Sequence, residues 1–122
     1  MKLVTHAVCS LAVGLLMPGA LPLVIAGAVL PDVLDRALRL RHRSPLTHNI
    51  LTAALIACMY PVVPAAAYIA LGVTHHLLLD VMTVQGVYVG NRRIAVGHLV
   101  SSDPVANIVI TLLHLAVLAL FL

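Results

Sequence analysis

The chain has 122 residues, enough for one domain; 62% are hydrophobic, only 9% are charged, and the mean hydropathy is +1.13. Soluble domains carry about 25% charged residues, so this composition excludes an ordinary water-exposed surface. With one Phe, three Tyr and no Trp, the apolar bulk suits lipid-facing helices better than an aromatic-girdled barrel. The formal charge of +3 sits in two clusters, Arg36–Arg43 and Arg92–Arg93, with Lys2 at the start. No aromatic residues interleave with these charges, so a nucleic-acid surface is not expected.

Breakers divide the chain into five apolar segments. The first runs from Leu3 to Met17 and ends at Pro18-Gly19. The second runs from Ala20 to Leu34 and stops in the Asp/Arg region. Residues 1–28 could pass for a secretory leader, but the apolar run breaks at Met17-Pro18-Gly19 and then resumes, so retention is expected. Ser44-Pro45, a capping residue followed by proline, predicts the start of a third helix that runs to Tyr60. Pro61 and Pro64 make the next turn, and a fourth helix continues to Met82. A polar stretch, Thr83–Ser102, reads as a loop. Asp103-Pro104 repeats the cap-and-proline signature and opens a fifth helix to Leu122. The last two segments approach the ~20 residues that cross a bilayer, and the first three are short spans.

These segments predict an all-α fold: a polytopic membrane bundle of four to five short transmembrane helices, with residues 1–122 forming one integral-membrane domain. Counting turns then places the N-terminus, the 35–44 loop and the 83–103 loop on one side. All the Lys and Arg residues fall there, which the positive-inside rule makes cytoplasmic. The expected location is the inner (cytoplasmic) membrane, multi-pass. The two cysteines, Cys9 and Cys58, lie in apolar segments without metal-type spacing and are expected to pack as small hydrophobes.

The same parity gathers the ionisable residues. His6, Asp32, Asp35, His42, His48, His75, His76 and Asp80 all fall at the cytoplasmic ends of their segments. Asp and His within a membrane are costly unless paired or functional. His nitrogens and Asp oxygens are the ligands of catalytic zinc sites, and no thiolate competes here. His76 and Asp80, four apart, share one helix face. His6, Asp32, His48, His76 and Asp80 are therefore the candidate ligands of a divalent metal, Zn²⁺ above others. His75 and His42 are candidates for orienting them or moving protons. Asp35 could equally pair with Arg36 or Arg39, and His42 could be a solvated loop residue. Asp103 reads as a helix cap, and His114 as an interhelical hydrogen-bonding residue. The arginine cluster reads chiefly as a topology determinant, with attraction of anionic headgroups as a second use.

Thr5-His6, Leu30-Pro31-Asp32, His42-Arg43-Ser44-Pro45-Leu46-Thr47-His48-Asn49 and His76-Leu77-Leu78-Leu79-Asp80 with Gly86-Val87 together resemble the membrane-bound metal-dependent hydrolase family, also described as LexA-binding, inner-membrane-associated hydrolases. The late Asp103-Pro104 is similar too. The chain departs from that pattern at Asp35, which stands one residue further on, at Ser44-Pro45 in place of a glycine, and at Asn49 in place of a serine. The resemblance implies kinship with zinc-dependent phospholipase C and single-strand nucleases, and so hydrolysis of a phosphoester such as a lipid headgroup. A membrane scaffold without catalysis, stabilised by the same metal and presenting its basic loops to a protein partner, is the alternative. With no Glu in the chain, any general base must be Asp, His or metal-activated water.

Overall fold

The computed structural model describes residues 1–121. Among them are α1 (Leu3–Leu15), a 3₁₀ turn (Pro18–Ala20), α2 (Leu21–Ala37), α3 (Ile50–Cys58), α4 (Ala65–Val81), β1 (Val87–Val89), β2 (Arg92–Ile94) and α5 (Pro104–Ala119). The fold is mostly helical, as expected, but it is not all-α. By length and composition, the described residues hold one helical stretch able to cross a membrane, Pro18–Ala37. Helices α1, α4 and α5 are apolar but shorter.

The small sheet corrects the reading of 83–102 as a plain loop. Val87 pairs with Ile94 and Val89 with Arg92, leaving Gly90-Asn91 as a two-residue turn. Gly90 has a φ of +60°, the conformation that a tight hairpin turn demands at its first central position. The hairpin is tied to the rest of the chain by Asn49. Its side-chain oxygen accepts from the Gly90 N–H at 3.2 Å, while its amide donates to the Gly90 carbonyl at 2.9 Å.

That tie also explains why the third helix starts late. Ser44 closes a single turn, accepting from His48 N at 3.0 Å. The next carbonyl, that of Pro45, accepts from the Asn49 side-chain amide at 3.0 Å, and that of His48 accepts from Tyr88 N at 2.8 Å. Asn49 is then extended (φ −122°, ψ 133°) and caps α3 by accepting from Leu51 N. The signature Ser44-Pro45 thus marks a turn, and the helix begins five residues later, at Ile50. At the other expected cap the reading holds: Asp103 accepts from Val105 N at 2.9 Å and starts α5.

The helices pack through small residues. A Cβ on Gly27 would overlap the Ile69 carbonyl, and one on Gly72 would overlap the Val24 carbonyl and crowd the backbone of Gly27 and Ala28. Helices α2 and α4 therefore cross backbone to backbone, the kind of close approach that small residues permit in apolar bundles. Ala28, Val24 and Val73 are buried around that crossing. Many large apolar side chains remain on the outside, including Leu51 and Leu55 on α3 and Val105, Ile108, Leu112 and Leu113 on α5.

The crossing is open to a direct check. Gly72→Ala has no room for its methyl and should lower stability by about 2 kcal/mol or more, at the upper end of overpacking costs. Gly19→Ala, where nothing lies within 4 Å, should change little. Thermal unfolding followed by circular dichroism in detergent compares the two.

Candidate metal centre

Five side chains from four segments meet at one end of the bundle: His6 from the start of α1, Asp32 from the end of α2, His48 from the turn before α3, and His76 with Asp80 from the end of α4. His6, His48 and His76 have no exposed surface, and Asp80 is 1% exposed. His48 Nε2 and His76 Nε2 are 3.1 Å apart. Asp80 Oδ2 lies 3.6 Å from the first and 3.5 Å from the second. Asp32 Oδ1 is 3.4 Å from His48 Nε2, and Asp80 Oδ1 is 3.3 Å from His6 Nε2. The rings of His6 and His76 stack at 3.7 Å.

The surrounding hydrogen bonds settle which nitrogens carry protons. His76 Nδ1 lies 2.6 Å from the Ala28 carbonyl, which can only accept, so this nitrogen is the donor. His48 Nδ1 lies 3.0 Å from Thr47 Oγ1. Thr47 spends its one proton on Asp35 Oδ1 at 2.5 Å, so His48 Nδ1 must also be the donor. In neutral imidazoles both Nε2 atoms are then bare lone pairs, and they face each other beside a carboxylate oxygen. Among the described residues, Asp80 Oδ2 and both nitrogens of His6 are buried without a hydrogen-bond partner. Converging lone pairs of this kind could receive a cation. The separations of 3.1–3.6 Å match the edges of a tetrahedron with ~2.0–2.1 Å bonds, about 3.4 Å.

His48, His76 and Asp80 could therefore hold a metal ion, and so could His6, Asp32 and His76. No protein family, curated protein or solved structure matches this chain. The site has to be read from its own geometry. Because His76 Nδ1 is committed to Ala28, that ring offers one lone pair, and the two groups compete for the same nitrogen.

Asp35, left open by the sequence, does not pair with Arg36 or Arg39 in any ion pair of the described residues. It accepts from the backbone N–H of Arg43 at 2.6 Å and of Ser44 at 3.3 Å, and from Thr47. Its Oδ2 also lies 3.4 Å from His48 Nδ1. A carboxylate behind a histidine in this way fixes the ring's tautomer and raises its basicity.

His75 is brought elsewhere. Its Nδ1 lies 2.8 Å from Ser10 Oγ and its Nε2 3.2 Å from His114 Nε2. The expectation that it orients the ligands is corrected: one residue from His76 on a helix is a turn of about 100°, and that turn points it at α1 and α5. His114 takes the interhelical role expected of it and also donates to the Ile110 carbonyl at 2.9 Å. His42 is largely exposed, with Nδ1 3.8 Å from Asp32 Oδ1. It lines a cleft of about 930 Å³ together with Lys2, Val33, Arg36, Leu40 and Asp32. Of the five clustered residues, Asp32 alone reaches this cleft.

Three contributors were missed. Arg43, read as part of a topology signal, is buried, and its Nη2 donates to Asp80 Oδ1 at 2.7 Å. Thr83 accepts from Arg43 Nη1 at 2.7 Å and donates to the Asp80 carbonyl at 2.8 Å. The Met1 amine also meets Asp80 Oδ1, at 2.6 Å. Burial holds that amine below its ordinary pKa, with the nearby Asp80 charge opposing the shift. Oδ1 of Asp80 thus faces the chain's own cations, while Oδ2 faces the lone pairs.

Two substitutions separate these roles. Asp35→Asn should lower zinc affinity about 10–100-fold by releasing His48, read by competition with a chromophoric chelator. His75→Leu should leave metal affinity unchanged and cost about 1 kcal/mol of stability, the scale of an interhelical hydrogen bond in an apolar bundle.

Proposed function

We propose that the chain is a membrane-embedded, metal-dependent hydrolase that cleaves a phosphoester at the cytoplasmic face of the inner membrane. The observation that carries this reading is the pair of bare Nε2 lone pairs on His48 and His76, 3.1 Å apart, facing the unpartnered Oδ2 of Asp80. A set of imidazoles and carboxylates without thiolate suits zinc, the ion favoured by the sequence. When bound, such an ion supplies Lewis acidity toward a phosphoryl oxygen and makes water acidic enough to attack near neutral pH.

The chain's own residues do the rest. Asp35 with Thr47, and the Ala28 carbonyl, engage Nδ1 of His48 and His76 and so turn their Nε2 atoms toward Asp80. Asp32, 14% exposed on its side chain, stands where the cluster meets the cleft and is placed to accept a proton from water. His42, exposed beside Asp32, is placed to pass that proton to solvent. Lys2 and Arg36 on the cleft wall favour an anionic substrate, and Leu40, Val33 and Val100 favour one with an apolar portion. A lipid headgroup at the bilayer surface meets both conditions. The apolar exterior of α5 and the apolar stretch Pro18–Ala37 support a membrane-embedded chain. That arrangement matches the resemblance to the membrane-bound metal-dependent hydrolases. The cleft at Asp32 favours this reading over a scaffold whose metal is closed off on all sides.

The test is elemental analysis of detergent-purified protein beside the His76→Ala/Asp80→Ala double variant, followed by a screen of phosphomonoesters and phosphodiesters. Near-stoichiometric divalent metal that the double variant loses, with turnover that follows the metal, is the expected result. Metal without turnover on any phosphoester would leave the scaffold. No metal, even after reconstitution with zinc, manganese or iron, would remove the hydrolase altogether.

A further inference from the structure

Arg43 is the one arginine of the 36–43 cluster that turns into the molecule. It is 7% exposed, and its backbone takes a φ of +59°, a conformation that favours glycine and that arginine adopts only when held there. What holds it is the bond from its N–H to Asp35 Oδ2. The guanidinium is thereby drawn to the metal cluster, with Nη2 on Asp80 Oδ1 and Nη1 on Thr83 Oγ1. Its Nε–H, buried, has no acceptor among the described residues. An arginine needs an acceptor for each buried donor, and leaving one bare is costly. The cluster's own buried, unpartnered carboxylate oxygen, Asp80 Oδ2, faces His48 and His76 at 3.6 and 3.5 Å, which leaves the Nε–H to an acceptor from outside the set.

From this we infer that Arg43 is the anion clamp of the site, and that the group it receives is the phosphoryl group of the substrate. The inference rests on the hydrolase reading and deepens it. The fixed, directed Nε–H of a guanidinium recognises an oxygen of a tetrahedral oxyanion in a way that a lysine ammonium does not. The bond from Nη2 to Asp80 places that N–H beside the carboxylate whose other oxygen faces His48 and His76. An oxyanion held by Arg43 would therefore have its remaining oxygens next to the metal ligands. The phosphoryl group could belong to a lipid headgroup or to a soluble phosphoester, and the clamp would treat both alike.

The experiment uses zinc-loaded, detergent-purified full chain and inorganic phosphate as the probe, titrated calorimetrically. Arg43→Lys keeps a cation for Asp80 but has no Nε–H, and is expected to keep its zinc while binding phosphate at least about tenfold more weakly. Arg92→Gln, in the exposed hairpin, serves as the control and is expected to bind as wild type. Phosphate affinity unchanged in a zinc-replete Arg43→Lys protein would overturn the clamp while leaving the metal centre standing. Absence of zinc from the wild type would remove the hydrolase reading, and the clamp with it. Should Arg43→Lys lose its fold, Thr83→Val frees Nη1 while retaining Arg43. Phosphate binding at wild-type strength or better is then expected, and loss of phosphate binding at full zinc occupancy would overturn the clamp. Nanodiscs containing phosphatidate that displace inorganic phosphate, where phosphatidylcholine nanodiscs do not, would assign the clamp to a lipid headgroup. Phosphate displaced only by soluble phosphomonoesters would assign it to a soluble one, and displacement by neither would overturn it.

Discussion

The site depends on how closely α2 and α4 approach each other. Gly27 and Gly72 let the two backbones touch, and only at that separation does the Ala28 carbonyl fall 2.6 Å from His76 Nδ1. That bond turns the His76 ring, fixes its tautomer and aims its free lone pair at His48. A methyl group at either glycine would part the helices by more than the length over which a hydrogen bond survives. Pro31, inside α2, removes the helical bond to the Gly27 carbonyl at the same place. The chain thus gives up backbone hydrogen bonding and side-chain bulk at the one crossing where a ligand must be oriented.

A second layer of constraint comes from Asp35. One buried carboxylate receives the backbone of Arg43 and Ser44, the hydroxyl of Thr47 and, at longer range, the ring of His48. Burying a charge is tolerable only when it is fully hydrogen-bonded, and here the bonds come from a single short loop. The same carboxylate folds the loop, forces Arg43 into its left-handed conformation and sets the His48 tautomer. The hairpin adds to this: Tyr88 N takes the His48 carbonyl out of any helix, so His48 sits on a turn locked from both sides. The 83–103 region, read as a plain polar loop, is part of the frame around the candidate ligands.

Much of this could be read from the chain, and the failures have physical causes. The helical segments follow from apolar runs broken by Pro18-Gly19 and Pro61–Pro64. The grouping of His6, Asp32, His48, His76 and Asp80 follows from the alternation of helix direction, which needs no knowledge of side-chain contacts. The hairpin was missed although Val87-Tyr88-Val89-Gly90-Asn91 carries a glycine-asparagine turn between β-formers, a recognised signal; the arginines beyond it read as loop charge. Ser44-Pro45 has the composition of a helix start and does close a turn, but the competing bonds, from the Asn49 amide to Pro45 and from Tyr88 N to His48, are held in place by a hairpin forty residues away. That His75 points away from His76 follows from the turn of about 100° between neighbours on a helix. Asp35 and Arg43 were not assignable, because carboxylate and guanidinium partners are chosen by loop geometry and not by spacing.

The two histidine clusters of this bundle make the functional argument by contrast. Ser10, His75 and His114 form a chain in which every donor meets an acceptor: the serine hydroxyl to His75 Nδ1, His75 Nε2 to His114 Nε2, and His114 Nδ1 to the Ile110 carbonyl. Among the described residues none of these atoms is buried and unpartnered. That is the chemistry of helix adhesion, in which polar groups inside an apolar bundle satisfy one another. The cluster of His6, His48, His76 and Asp80 uses the same residue types, at the ends of overlapping helices, and leaves its lone pairs facing one another. A purely structural cluster would be under no pressure to stay unsatisfied, since a serine or asparagine at any of these positions could complete it. The difference between the two clusters is that one leaves converging lone pairs able to hold a cation and the other satisfies its own.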